Sequence, residues 1–351
     1  MKSYLAQAAL AAALTSCRVE TPNTIAQDAA ADTLADGPAA AEAAADGAAG
    51  CSATTSAGLM ACVSRTALEQ DVTLIAKPRA PGDKHHAEVR ELCATRLAEL
   101  GYTVERHNYA TGINIVGVRA GSSPARVFVS AHYDHVENCA GADDNASGLA
   151  GTLEAARILA KGQYERTIAI GCWDEEEPGL IGSQAYAERA KANGEPIEVA
   201  YVFEMIGFAS SAENSQRLPS GLSIVFPDQS AQITNNGSRG DFIAFIADEN
   251  AKAAATALEQ SASSIGLKNV SLSLTTPQTG SSVFRDLRRS DHASFWASGY
   301  SGIQITDTAE FRNKNYHCIG GADTVDTLDF DFMTRVVRTV IGAAATSLRM
   351  K

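Results

Sequence analysis

The sequence predicts an α/β protein: a single globular domain with a mostly parallel mixed sheet covered by helices on both faces. Three observations lead there. Apolar runs of strand length alternate with amphipathic stretches of helix length. Acidic and imidazole side chains stand just past the ends of several apolar runs, the place where open α/β sheets build ligand sites. No internal repeat interrupts the alternation.

The N-terminal segment is expected to lie outside that domain. Residues 1–16 read as an export signal, with Lys2 as a thin positive start and an apolar stretch over 5–14 too short to cross a bilayer. Leu14-Thr15-Ser16-Cys17 resembles the lipobox of bacterial lipoproteins. The resemblance implies lipidation of Cys17 and export from a bacterial cytoplasm. A lipoprotein anchored at its N-terminus would then face the periplasm or the cell exterior. An ordinary signal cleaved at 11–13, leaving a soluble secreted protein, is the alternative. Residues 17–58 are Ala-rich with almost no large apolar side chain, so they cannot offset their ordering entropy and are expected to form a disordered tether. That places the folded domain at 59–351.

Within the domain, Asp83 can cap a helix through Val89, Cys93, Leu97 and Leu100, and Gly101 supplies its stop. Strands follow at 113–118 and 126–131. A helix capped by Ser147 carries Leu149, Leu153, Ala156 and Leu159 on one face and breaks at Gly162. Strand 167–172, helix 183–192 and strand 197–203 continue the alternation. The pattern then predicts a strand at 222–226, a helix at 248–264, a strand at 301–306 and a C-terminal helix from Asp329. The Ser-, Asn- and Gly-rich stretch 210–239 is expected to decorate the face that holds the site.

A net charge of -12, with no concentration of Lys or Arg, excludes nucleic acid as a partner. Arg285, Arg288 and Arg289 form the one basic cluster and are expected to be solvated. Beyond Cys17 there are six cysteines: Cys51, Cys62, Cys93, Cys139, Cys172 and Cys318. Export would permit disulfides, and Cys62 with Cys93 is the expected pair, both lying on N-terminal helices. Cys172, at a strand end, is expected to be a buried thiol. No Cys-x-x-Cys occurs, which argues against thiolate-bound zinc.

Five segments carry metal-binding side chains: His132 to Asp134, Gly141 to Asn145, Glu175 to Glu177, Glu204 and His317. Two divalent ions roughly 3.5–4 Å apart repel by ~20 kcal/mol at an effective dielectric of 20. Only anionic ligands, best of all one shared carboxylate, make such a pair tolerable, and these segments supply them. Two histidines speak for a transition metal rather than magnesium or calcium.

Taken in order, these residues resemble the bacterial di-zinc aminopeptidases, a family that includes aminopeptidase Y and relatives of glutamate carboxypeptidase. The resemblance runs from about Glu88 to the C-terminus. It rests on His132-Tyr133-Asp134, on 141–148 (GADDNASG), on 176–183 (EEPGLIGS), on Glu204-Met205-Ile206-Gly207, and on Ser290-Asp291-His292 with Tyr316-His317.

It implies a zinc-exopeptidase fold with two Zn2+ ions. Asp144 would bridge them, His132 and Glu204 completing one and Glu177 and His317 the other. Asp134 would orient His132, Glu176 would be the general base, and Tyr316 would stabilise the oxyanion. The implied substrates are peptides with a free N-terminus, and the implied state is a monomer. Glu204 stands where the family most often has Asp.

A carboxypeptidase or dipeptidase using Arg285 or Arg289, a single-zinc glutaminyl cyclase, and a tethered binding module are the other readings. Met205, Phe284, Phe295 and Phe311 suggest an apolar substrate pocket. His135 and His292 adjoin the site without belonging to the motif and are expected to support it. His85 and His86 are expected to be exposed, His107 to sit in a polar hairpin, and Trp173 to be core packing.

Overall fold

The computed structural model describes residues 50–351, so the export signal, Cys17 and the tether up to residue 49 lie outside the described residues. One sheet organises the chain. Its strands are β1 (Thr103–Asn108), β2 (Ile113–Arg119), β3 (Arg126–His132), β4 (Thr167–Trp173), β5 (Ile197–Glu204), β6 (Ile243–Asp248), β7 (Asn269–Leu274) and β8 (Gly302–Thr306). They lie in the order β1-β2-β4-β3-β5-β8-β6-β7. The contiguous strands β4, β3, β5 and β8 are parallel, so their C-terminal ends share one edge. The joins β1–β2, β2–β4 and β6–β8 are antiparallel, and β6–β7 is parallel.

Among the described residues, eleven helices surround it: α1 (Ser56–Ala61), α2 (Arg65–Ile75), α3 (Lys84–Glu99), α4 (Gly148–Leu159), α5 (Ile181–Ala192), α6 (Leu222–Val225), α7 (Pro227–Asn235), α8 (Lys252–Ser264), α9 (Thr276–Thr279), α10 (His292–Ala297) and α11 (Phe330–Ser347). The central strands show why both faces must be covered. On β3, Val127, Val129 and Ala131 enter a core shared with α4 and α11, whereas Phe128 enters a second core with Trp173, Tyr186 and Phe295. On β5, Val199, Tyr201 and Phe203 face the first core, and Ala200 and Val202 the second. Side chains alternate across a strand, so a strand apolar at every position needs helices on both sides.

Several expectations are corrected. Residues 222–226 form a helical turn, not a strand. Five residues, four of them apolar, lie between Gly221 (φ +81°) and Pro227 and carry no periodicity to separate the two, and Ile224 is 84% exposed. The strands beyond β8 are instead β6 and β7, and β1 was also unread, polar residues on both its faces (Glu105 and His107 on one, Arg106 and Asn108 on the other) hiding it. Order begins before residue 59: Thr55 caps α1, and Ser56 Oγ donates to the Gly342 carbonyl of α11.

The disulfide pairing differs too. Cys62 ends α1 beside Cys51, with Cα atoms 4.6 Å apart, and the two are bonded. Cys93 points from α3 into the core and stays a buried thiol, as does Cys172. A second disulfide joins Cys139 to Cys318. His86 is buried rather than exposed, its Nε2 2.6 Å from Asp174, and His107 sits in the β1–β2 hairpin as expected but is buried there, its Nδ1 3.0 Å from the Asn114 amide.

Arg79 is the residue that frames the site and that the sequence pattern did not reveal. It is fully buried. Nε donates to the Tyr133 carbonyl (3.1 Å), Nη1 to those of Lys77 (3.3 Å) and Ala140 (2.6 Å), and Nη2 to those of Gly141 (2.9 Å) and Asp144 (3.1 Å). All five guanidinium N–H groups are thereby matched. Burial lowers its pKa to about 10, against the pull of Asp144, Asp134 and Asp323, so it remains a cation at neutral pH. Arg79→Met leaves five carbonyls without their donor, those of Tyr133, Gly141 and Asp144 in buried bonds, and should lower stability by at least ~3 kcal/mol. Arg79→Lys, with three donors, should fall between the two. Urea unfolding of the purified protein measures both.

Candidate metal centre

Three parallel strands deliver side chains to one edge. β3 ends on His132 and β5 on Glu204, while β4 runs out into Asp174-Glu175-Glu176-Glu177. Glu175 has φ +52°, a turn that splits this acidic run between two sides. Asp174 and Glu175 face away, bonded to His86 and Thr111. Glu176 and Glu177 turn inward. His317, also at φ +52°, arrives from the loop after β8.

Asp144 stands in the middle. His132 Nε2 lies 3.4 Å from its Oδ1, and His317 Nε2 lies 3.3 Å from its Oδ2. His132 Nε2 is also 3.4 Å from Glu204 Oε2 and 4.0 Å from Glu176, and His317 Nε2 is 3.0 Å from Glu177 Oε2. Two ligand atoms held tetrahedrally at 2.0–2.1 Å from one zinc are about 3.3–3.4 Å apart. Three of these separations match that figure. The Nε2 atoms of His132 and His317 and Oδ1 of Asp144 are buried without a hydrogen-bond partner. Among the described residues, convergent groups able to hold an ion are His132, Glu176 and Glu204, and His135, Asp144 and Glu177. The donor set therefore fits a pair of transition-metal ions sharing Asp144.

The segment 141–148 earns its composition atom by atom. Gly141 has φ +58°, and a Cβ there would lie 2.2 Å from the Asp144 carbonyl and 2.5 Å from the His135 ring. Asp143 accepts from the Gly207 N–H (2.9 Å) and the Asn313 amide (2.8 Å). The Asp144–Asn145 peptide is cis. Asn145 donates to the Phe203 carbonyl and accepts from the N–H groups of Met205 and Gly148. Ser147 Oγ accepts from Ile206 N–H and donates to the Asp143 carbonyl. Only Asp144 is left free to face the histidines. Its neighbours bind the loop to the end of β5, which carries Glu204.

Asp134 does more than was expected of it. His132 Nδ1 is directed at the Asp134 carbonyl (3.2 Å) and at its Oδ1 (3.3 Å), while the same carboxylate accepts from Glu176 N–H (3.0 Å) and Glu177 N–H (3.2 Å). One side chain thus orients a histidine and two glutamates. Ser290 Oγ donates to Glu204 Oε2 at 2.7 Å. Arg289, expected to be solvated, pairs with Glu310 and donates to the Tyr316 hydroxyl at 2.8 Å. The Tyr316 ring stacks on His317. His292 packs edge-on against Trp296, its Nε2 bonds to the Leu287 carbonyl, and it is not among the convergent groups. His135 was not expected in the ligand cluster, yet its Nδ1 lies 2.7 Å from Glu177 Oε1.

An apolar pocket opens beside Glu204 and Tyr316. Leu218, Leu222, Phe242, Ile246, Leu272 and Phe311 line it. The stretch 210–239 does contribute to its wall. Of the four side chains proposed for a pocket, only Phe311 is among its lining residues; Met205 and Phe295 are fully buried in the core, and Phe284 lines a neighbouring groove.

With no cation bound, burial pushes Glu176 well above the usual carboxylate range; His132 opposes this, and Glu204, Asp291 and Glu177 add to it. Asp291 rises to about 7 and Asp323 to about 7, burial leading in both. Burial opposes the charge on His317, but Asp144 and Glu177 outweigh it and hold the imidazole up at about 10.

A mostly parallel sheet that gathers imidazoles and carboxylates at its C-terminal edge defines a metal-dependent α/β enzyme. The chain belongs to peptidase family M28, whose profile matches residues 114–344. The uncharacterized protein YfbL of Escherichia coli K12 is 33% identical over 242 residues, covering 65% of this chain and 69% of that protein. A probable zinc metalloprotease of Pyrenophora tritici-repentis is 28% identical over 269 residues, or 67% of this chain. The match spans only 53% of that fungal protein. In fold, the chain resembles BSAP, a zinc aminopeptidase from Bacillus subtilis, at a TM-score of 0.60 with 15% identity, over 82% of this chain and 95% of that one.

The raised groups set a pH dependence for the metal-free protein. Asp291 and Asp323 bind protons in the folded state up to about pH 7, whereas unfolded they release them near 4. Stability therefore falls as pH rises from about 4 to 7. His317, raised to about 10, adds stability below 6.5 that is lost as pH climbs through 10, which has the same sign. The melting temperature of chelated protein should thus drop between pH 5 and 8, and saturating zinc should flatten the slope. A metal-free protein that gains stability over that interval would contradict the assignment.

Proposed function

We propose that this chain is a di-zinc aminopeptidase that hydrolyses the N-terminal peptide bond of peptides. The observation that carries the reading is the shared Asp144, whose two oxygens face separate histidine–glutamate pairs. His132 and Glu204 would hold one ion, and Glu177 and His317 the other. When bound, such ions supply Lewis-acid polarisation of a peptide carbonyl and a nucleophile at neutral pH.

The residues of the chain would do the rest. Glu176, which touches no other donor side chain closely and lies 4.0 Å from His132, takes a proton from water and passes it to the leaving amine. Its backbone is held by Asp134, so the carboxylate stays aimed at the centre. Tyr316 receives a hydrogen bond from Arg289, which leaves its own O–H free to donate to a carbonyl oxygen that becomes negative during attack. The apolar pocket beside Glu204 suits an aliphatic or aromatic side chain on the first residue of the substrate.

Arg289 also bears on the direction of cleavage. A carboxypeptidase needs a guanidinium to hold the terminal carboxylate of its substrate. Arg289 is already committed to Glu310 and Tyr316, and Arg285 is 84% exposed beside Asp286. The amino end is therefore the better fit.

Glu176→Gln keeps the shape of the site while removing the proton acceptor. Turnover should fall by about 10²–10⁴-fold with both zinc ions retained, as judged by metal analysis of the purified variant. Near-normal turnover would assign the base elsewhere. Blocked peptides test the direction: N-acetylation should abolish cleavage, and C-terminal amidation should leave it intact. The opposite pattern would make the enzyme a carboxypeptidase.

A further inference from the structure

Glu177 has one imidazole on each of its oxygens. His317 Nε2 lies 3.0 Å from Oε2, and His135 Nδ1 lies 2.7 Å from Oε1. The side chain of His135 is fully buried, and its Nδ1 is 3.9 Å from Asp144 Oδ1. The family motif on His132 and Asp134 stops short of His135, so no role attaches to it so far.

Its geometry separates two roles. Two atoms on one tetrahedral zinc sit about 3.3–3.4 Å apart, and the His132 and His317 contacts with Asp144 fall at 3.4 and 3.3 Å. The His135–Glu177 contact is far shorter, and 2.7 Å is the length of a charge-assisted hydrogen bond. A carboxylate oxygen of Glu177 can only accept, so Nδ1 of His135 carries the proton. The surroundings hold the ring there. Its backbone N–H donates to the Arg79 carbonyl (3.3 Å), its ring packs over Gly141 where no side chain would fit, and its edge meets the His317 ring at 5.9 Å.

We propose that His135 is a positioning residue for the second metal ion: it holds Oε1 of Glu177 so that Oε2 is turned toward the side of His317. Ligating carboxylates left unrestrained rotate and lose affinity, and the partners that restrain them are worth about 10–100-fold in metal binding. The proposal rests on Glu177 being a ligand, as argued above. It also explains why the chain keeps three histidines around a centre that needs only two for ligation.

Zinc affinity, read by competition with a chromogenic chelator, tests it on the purified protein. His135→Ala should weaken one of two zinc equivalents by about 10–100-fold and leave the other unchanged. His135→Asn should recover most of that loss, because its amide N–H can donate to Oε1. Wild-type affinity at both sites in His135→Ala would overturn the proposal. So would an Asn variant as weak as Ala, which would make His135 a direct ligand. Glu177→Gln is the control for the underlying reading: if it still binds two zinc ions with wild-type affinity, Glu177 is no ligand and the proposal falls with that assignment. Should His135→Ala not fold, as judged by melting of the metal-free protein, His135→Leu replaces it under the same criteria.

Discussion

Crowded buried negative charge is the constraint to which the rest of this structure answers. Asp134, Asp144, Glu176, Glu204 and Asp291 are all buried, and the side chain of Glu177 is nearly so. Taking a single carboxylate out of water costs several kcal/mol, and neighbours of like sign add to it. The protein answers with cations and with hydrogen bonds, most of them placed on the backbone around the cluster. His132, His135 and His317 face the cluster directly, and Arg79 lies one layer behind it, bonded to carbonyls rather than to the acids themselves. Asp134 and Asp143, set back from the convergent groups, are satisfied by backbone N–H groups. Of those that face the centre, Asp144 keeps a bare Oδ1, while Glu204 and Glu177 each take one side-chain partner, Ser290 and His135.

Holding such a cluster in register demands a stiff frame, and the parallel strands provide it. β4, β3 and β5 are packed on both faces, so their C-terminal ends cannot shift independently. The loops that follow are then stitched to one another. Asn145 joins the Asp144 loop to β5, Asp134 joins the His132 loop to the Glu176 turn, and Asp323 accepts from Asp143 and Asp144 N–H groups. Each stitch uses a side chain to fix a backbone, which leaves the candidate ligands few alternative positions.

Much of this was legible in the chain. The apolar runs of β2, β3, β4, β5 and β8 were read at nearly their observed bounds, because strands covered on both faces are apolar without alternation. The site residues His132, Asp144, Glu176, Glu177, Glu204 and His317 do converge. What escaped has physical reasons. β1 lies at the sheet edge with polar residues on both faces, and 222–226 is too short for periodicity to decide. Arg79 gave no signal, since a lone Arg among Pro and Ala reads as surface until its five carbonyl partners are known. His135 could have been suspected, as the second histidine of 132–135, but sequence spacing does not say which nitrogen meets which oxygen. The pairing of Cys51 with Cys62 depended on a fold-back ahead of α1 that composition alone suggested was unstructured.

Arg79 and the helices around it carry a practical corollary. The family profile begins at residue 114, past Arg79, past the Cys51–Cys62 link and past α1 to α3. Yet Met60 of α1 fills the hollow over Gly342 of α11, Tyr102 donates to the Ala156 carbonyl of α4, and Arg79 supplies the donors for the loop that bears Asp144. The stretch by which such a chain is recognised is therefore smaller than the unit that packs around it. A fragment trimmed to the recognisable segment would keep every candidate ligand and lose the scaffold that aims them. Expression boundaries, domain fusions and comparisons of catalytic segments between relatives should be drawn ahead of Cys51.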